Sequence, residues 1–205
     1  MGISERKERE KLEMRRRILD AAMNMFLEDG YDKTSIRNIA EKIEYSPATI
    51  YLYFKDKDEL LYEVQKDAFQ KLDEVFRAHC TATEPLERLK QICHTYIRFG
   101  NEHPELYDLM FIIRAPMNVV EEKEMWDNGS EAFDFLVQCL QQCIDQKLIK
   151  YNDVMIAALS VWSMGHGLIS LNIRCRFKVM EMDEAQVSQA ISFSIEEFLR
   201  VISTS

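Results

Sequence analysis

The residues with the most definite chemistry lie between positions 34 and 57. Ser46-Pro47 reads as a helix opening, with Ser46 as N-cap and Pro47 at the first helical position, where its missing N–H costs nothing. Ala48, Thr49, Tyr51 and Tyr53 follow, small or hydroxylated, on what the spacing makes the outer face, while Ile50 and Phe54 point inward. A second short helix is predicted just before, over 35–43, joined to 47–53 by Glu44-Tyr45-Ser46. That is the spacing of a helix-turn-helix. Little bulk at a helix N-terminus suits entry into a major groove, hydroxyls suit phosphates, and the first N–H groups of the helix favour an anion. The chemistry this pattern predicts is recognition of double-stranded DNA.

Other chemistry-bearing residues form no comparable set. Cys139 and Cys143 stand four apart and so share a helix face, but no nearby Cys or His completes a metal set. The five cysteines are odd in number and scattered, which reads as reduced thiols. Carboxylates are plentiful, and Glu121-Glu122-Lys123-Glu124 reads as a solvated helix start; none is paired with a His in a catalytic arrangement. No Gly-rich phosphate loop occurs. The expectation is a protein with no catalytic residues, no metal and no cofactor, and not an enzyme. His166, between Gly165 and Gly167, suits either a ligand donor or a buried His bonded to a neighbouring helix.

The elements that must carry these residues are all helical. The chain has 205 residues, 47% hydrophobic and 30% charged, with 6 Gly and 4 Pro, so a β-sandwich or a disordered tail fits poorly. Ile18, Ala21, Ala22, Met25 and Phe26 have the spacing of one helical face, which Asp29-Gly30 ends. Thr34 or Ser35 caps the next helix, and Asp56 with Glu59 three residues later forms a capping box for a fourth. Pro85, Gly100, Pro104, Pro116 and Gly129 punctuate further helical stretches. No segment alternates like an exposed strand. The prediction is all-α, with about nine helices.

Charge divides the chain at the same place. Residues 1–57 hold 12 Lys+Arg against 11 Asp+Glu, whereas 58–205 hold 14 against 24. One end suits a polyanion and the other does not. The expected domains are therefore a DNA-binding module, 1–57, and a helical body, 58–205. Met1 to Arg17 is densely charged, with no apolar run for a secretory core, so a cytoplasmic protein is expected. Val154 to Ile173 carries no charged side chain over 20 positions, a length that could span a bilayer. Its Ser160, Ser163, His166, Ser170 and Asn172 argue instead for a helix buried on all sides, between its own domain and a second subunit, and against a membrane.

At Thr34-Ser35-Ile36-Arg37-Asn38-Ile39-Ala40 and at Ser46 to Leu60 the sequence closely resembles the tetracycline-repressor (TetR) family, a likeness running from about Arg15 to Leu61 and including Phe26, Gly30 and Tyr31. The resemblance implies that Thr34, Ser35, Tyr51, Tyr53 and Lys57 hold phosphates. It implies that Arg37, Pro47, Ala48 and Thr49, beside the capping Ser46, face base edges, and that Ile39, Ala40, Ile50 and Phe54 form the module's core. Glu44 departs from the family, which usually has glycine in this turn; a non-glycine residue there must tolerate an unusual backbone angle, and its carboxylate is expected to point away from DNA.

Two patches of the body, Asn101 to Phe111 and Trp162 to Gly167, resemble the WHG-type branch of that family, which implies a helical ligand-binding and dimerisation domain. Seven of the eleven methionines fall from Met110 onward, among aromatic residues. Flexible thioethers beside rings suit a pocket for a small apolar ligand or, equally, an ordinary core. Candidate lining residues are Phe99, Tyr107, Met110, Phe111, Met125, Trp126, Phe133, Trp162 and His166. The expected partners are a palindromic operator with half-sites roughly 34 Å apart, and a second copy of the chain bound through about 152–176 and 184–202. Charge reversal near Ile195 or Phe198 is expected to part the subunits. The function expected is a homodimeric repressor released from its operator by an apolar ligand. The alternative is a DNA-bound adaptor that recruits a protein and has no small-molecule inducer.

Overall fold

The computed structural model describes residues 3–114 and 129–204. Nine α-helices occur among them: α1 (Ile3–Glu28), α2 (Ile36–Lys42), α3 (Pro47–Tyr51), α4 (Lys57–His79), α5 (Pro85–Glu102), α6 (Pro104–Phe111), α7 (Ser130–Asp145), α8 (Val154–Ile173) and α9 (Glu184–Ile202). A short 3-10 turn, Arg176–Met180, lies between α8 and α9. The described residues contain no strand, only an isolated bridge between Ile149 and Ser203. The all-α expectation holds.

The residues group into two compact units, Met1–Ala68 with Glu105–Asn128, and Phe69–Pro104 with Gly129–Ser205. The boundary expected at 57/58 coincides with the start of α4, and the units divide further along that helix.

In the first unit Ile18, Leu19, Ala22 and Phe26 of α1 are buried, as are Ile39 and Ala40 of α2, Ile50 of α3, and Phe54, and α2 packs against both α1 and α3. Helix α1 begins at Ile3, well before that face. Its first turns are exposed and charged, with Arg6–Glu10 at 2.7 Å and Arg9–Glu13 at 3.5 Å, the i,i+4 pairs that support a solvated helix. Ser35 caps α2 in a reciprocal box with Asn38. Asp56 Oδ1 accepts from Glu59 N at 2.8 Å, while the Glu59 carboxylate reaches one residue beyond the expected box, to Lys55 N at 2.6 Å. Gln65 of α4 donates to the Leu109 carbonyl of α6 at 2.8 Å.

In the second unit α8 lies against α5 at two glycines. A Cβ on Gly100 would stand 2.8 Å from both Cδ1 and Cγ2 of Ile169, and one on Gly165 would stand 3.1 Å from Cδ1 of Tyr96. Hydrogen bonds flank these approaches, from Trp162 Nε1 to the Tyr96 hydroxyl at 3.1 Å and from Asn172 Nδ2 to Asn101 Oδ1 at 3.0 Å. Phe76 stacks on Phe135, centroids 6.0 Å apart, and Lys90 and His94 meet Glu196 at 2.8 and 3.1 Å.

The structure corrects one expectation here, the charge test at Ile195. Within one subunit α8 is buried on one side, where Ala157, Ala158, Val161, Gly165 and Ile169 face inward, while Met155, Ile156 and Leu159, on the side expected to meet a second subunit, are 52%, 55% and 58% exposed. By length and composition it is long and apolar enough to cross a membrane. Its outer side is apolar without being covered. Ile195 lies in the subunit's own core, 1% exposed, so a charge there disrupts folding rather than association; Phe193, 63% exposed, occupies the outer side of α9.

The glycine contacts give a stability test. Gly100→Ala forces the new methyl against Ile169 Cγ2, which is fixed on a branched carbon and cannot swing away. Urea unfolding should show a loss of about 1 to 3 kcal/mol, in spite of alanine's better helix propensity, with partial recovery in the Gly100→Ala/Ile169→Ala double variant. A neutral or stabilising Gly100→Ala would mean that the two helices are not this close.

Candidate nucleic-acid interface

Helices α2 and α3 have seven and five residues, too few to persist alone, so the turn between them must be held from outside. Glu44 adopts φ 63°, the left-handed conformation that its non-glycine side chain disfavours. It is exposed. Backbone bonds from Glu44 N to Glu41 O at 3.1 Å and from Tyr45 N to Ala40 O at 2.9 Å close the turn. Arg17, reaching from α1, donates to the Ile43 carbonyl at 3.0 Å, with its guanidinium carbon 5.2 Å from the centre of the Tyr45 ring. A cation on carbonyls at a helix C-terminus is favourable. Arg15 similarly lies 5.0 Å from the Phe54 centroid and 2.9 Å from Glu63. Neither arginine is legible as a clamp from its sequence neighbours.

Pro47 stands at the first position of α3 and Ser46 at its N-cap, as expected, although the Ser46 hydroxyl meets Thr49 Oγ1 at 3.2 Å rather than capping a backbone N–H. Ile50 and Phe54 are buried. Pro47, Ala48, Tyr51 and Leu52 form the uncovered face, whereas Thr49 and Tyr53 lie half-buried at its edge. Leu52, absent from the expected set, is 79% exposed. Its signal was present in the register, since it follows Ala48 by four residues. Arg37 projects from α2, paired at 3.0 Å with Glu41 in a solvated ion pair of the kind that contributes little and yields readily to another anion.

Thr34, Ser35 and Lys57 have internal partners. The Thr34 side chain is buried, donating to Gly30 O at 2.9 Å and Met25 O at 3.2 Å. Ser35 Oγ accepts from Asn38 N at 3.1 Å as the cap of α2. Lys57 donates to the carbonyls of Tyr31 and Thr34 at 2.6 and 2.8 Å and lies 3.9 Å from the Tyr31 ring centre. Burial lowers its pKa below the ordinary lysine range. The Tyr31 hydroxyl donates to Asp58, and burial followed by that bond raises the phenol's pKa. The 30–34 loop, which leads into α2, is thereby tied to α4.

The candidate pocket residues divide between the units. Tyr107 and Met110 are buried in the first, with the Phe111 ring 5.2 Å from that of Tyr107. In the second, Trp162 lies between Phe133 and His166, at 5.9 and 6.5 Å, and Phe99 packs on His103 at 5.2 Å. Burial, then Arg174, lowers the His166 pKa, favouring neutral imidazole. Met125 and Trp126, with Glu121 to Glu124, lie outside the described residues. Asp73 is buried with one carboxylate oxygen on Arg77 at 2.7 Å and no hydrogen-bond partner for the other among the described residues. Cys139 and Cys143 are buried free thiols; Cys139 donates to the Pro85 carbonyl at 3.3 Å, and the neighbouring Cys139 thiol, then burial, raises the Cys143 pKa. No group of three or more metal-ligating side chains occurs among the described residues.

Comparison with known proteins covers both parts of the chain. Residues 18–64 match the family described as "Bacterial regulatory proteins, tetR family", and residues 89–193 match "Tetracyclin repressor-like, C-terminal domain". The HTH-type transcriptional regulator HbdR of Aromatoleum sp. (strain CIB) is 39% identical over 83 residues, 40% of this chain and 35% of HbdR, so the match spans about a third of that relative's length. A TetR family transcription regulator from Marinobacter aquaeolei VT8 superposes with TM-score 0.69 at 22% identity, covering 96% of this chain and 98% of the other. FadR from Bacillus subtilis, solved in complex with stearoyl-CoA, gives TM-score 0.66 at 20% identity over 89% and 96%. At these identities the two structures establish the fold.

Two substitutions test how the turn is held. Glu44→Gly removes the left-handed strain and should raise the unfolding free energy by about 0.5 to 1 kcal/mol. Lys57→Met leaves two carbonyls without their charged donor and should lower it by about 1 to 3 kcal/mol. Chemical denaturation measures both; equal stability of wild type and Lys57→Met would show that the 30–34 loop is held by something else.

Proposed function

Since the chain belongs to the tetR family of bacterial regulatory proteins, we propose that it is a cytoplasmic, homodimeric transcriptional repressor that leaves a palindromic operator when a small apolar ligand binds its body. The observation that carries this reading is the uncovered face of α3, presented by a turn clamped from α1. In the proposed mode residues 1–57 form the reading head, with α3 in the major groove and Arg37 of α2 beside it. Ser46, Pro47, Ala48 and Thr49 approach base edges, and Tyr51 and Tyr53 approach phosphates, the division between specifying and positioning contacts. Thr34, Ser35 and Lys57 support the head through the bonds described above, and their expected role at phosphates rests on the family resemblance alone.

The outer faces of α8 and α9 support the dimer. Met155, Ile156 and Leu159 on one helix and Phe193 on the other leave more apolar surface exposed than isolated residues explain. A four-helix arrangement of these elements from two copies covers it and accounts for the uncharged α8 without a membrane.

The body, 58–205, supplies the ligand response. Buried aromatic rings and the unpaired oxygen of Asp73 support a mostly apolar site with a polar contact. Stearoyl-CoA, held by the B. subtilis FadR structure, makes a long acyl chain the first ligand class to test. The ligand acts only if it prefers the conformation in which the two heads no longer match successive grooves.

Selection from random duplex DNA at near-physiological salt should return a palindromic consensus. Tyr51→Ala should weaken binding about tenfold to all sequences alike, and Arg37→Ala should change preference at one symmetric pair of positions. An unaltered preference profile makes Arg37 a positioning residue. Leu159→Glu with Phe193→Glu should sediment as a folded monomer and bind the palindrome at least tenfold more weakly; a persistent dimer places the interface elsewhere.

A further inference from the structure

The uncovered face of α3 contains a side chain that no phosphate contact explains. Leu52 is 79% exposed, more than Tyr51 at 56% or Tyr45 at 40% in the same module. Its backbone, φ −74° and ψ −18°, continues the helix by one residue, so it stands in helical register four positions after Ala48. Pro47, Ala48, Tyr51 and Leu52 share one arc; Ile50 and Phe54 occupy the opposite arc, inside the module. An isobutyl group has no donor or acceptor for a phosphate. At 79% exposure it adds little to the module's own core, where Phe54 is buried.

We propose that Leu52 is a specificity residue that packs on the C5-methyl of a thymine in the operator's major groove, with Ala48 extending the same apolar strip. The thymine methyl is the one apolar group that base pairs present in that groove; guanine, adenine and cytosine present donors and acceptors. Against a polar edge, Leu52 leaves those groups dehydrated and unpaired, so it discriminates by penalty as well as by contact. The face it occupies is continuous with the one that enters the groove. The proposal deepens the DNA-binding reading and rests on it.

The test uses the full chain and the palindrome obtained by selection. Each thymine of the half-site is replaced in turn, symmetrically, by deoxyuridine, which removes only the methyl group, and affinity is read by fluorescence anisotropy. One symmetric pair of thymines should show a loss of about fifteenfold, about fourfold per methyl contact. Leu52→Ala, an exposed substitution whose melting curve checks its folding, should bind thymine and deoxyuridine palindromes with a ratio near one. Leu52→Asn should lose the thymine from its selected consensus at that position. Equal wild-type affinity for thymine and deoxyuridine at every position overturns the proposal, as does a Leu52→Ala protein that keeps the wild-type ratio. Enrichment of no duplex by the folded wild-type protein overturns the DNA reading itself, and the role of Leu52 with it.

Discussion

Helices of five and seven residues do not persist in water, because nucleation consumes most of what so few backbone bonds return. The direction in which α3 faces is therefore set by what holds it, not by the helix. Three kinds of contact do so. Ile39, Ile50 and Phe54 bury the inner side within the module, Arg17 binds the last carbonyl before the turn, and Lys57 secures the loop that precedes α2. Both cations are spent on backbone carbonyls of the module itself. What remains outward on α3 is small, hydroxylated or apolar.

The second unit works under a different constraint. Its helices are long enough to stand, and their problem is how to come close. Small residues at Gly100 and Gly165 let α8 approach α5 to the distance where Ile169 and Tyr96 fill the space a side chain would need. The opposite side of α8 carries the large residues Met155, Ile156 and Leu159, and so has the composition of an interior without an interior to join. One helix thus has a small-residue face for its own subunit and a bulky face for what lies beyond.

Much of this was legible from local signals. The opening at Ser46-Pro47, the cap at Ser35 and the end of α1 near Gly30 follow from rules that act within a few residues, whereas the unusual backbone at Glu44 was signalled by the family resemblance. The extension of α1 back to Ile3 was hidden because its turns have no buried face, only paired charges. The resemblance implies phosphate contacts for Thr34 and Lys57, and their carbonyl partners depend on tertiary approach that spacing does not encode. Leu52 was passed over because an apolar residue is assigned inward by default, and Ile195 and Phe193 show the same difficulty in reverse, two residues apart on opposite sides of α9. The division of pocket candidates between units was likewise beyond periodicity, which reports faces but not which neighbour a face meets.

The approach of Ile169 to Gly100 has a mechanical consequence. A branched side chain seated over a glycine, with Asn172 hydrogen-bonded to Asn101 one turn away and Tyr96 under Gly165, acts as a detent: sliding α8 along α5 lifts Ile169 onto neighbouring side chains and breaks the hydrogen bond between the two asparagine amides at once. Tilting about the glycine needs neither. Movement of α8 relative to α5 is therefore angular, and rocking by a few degrees at this fulcrum grows into ångströms along a 20-residue lever.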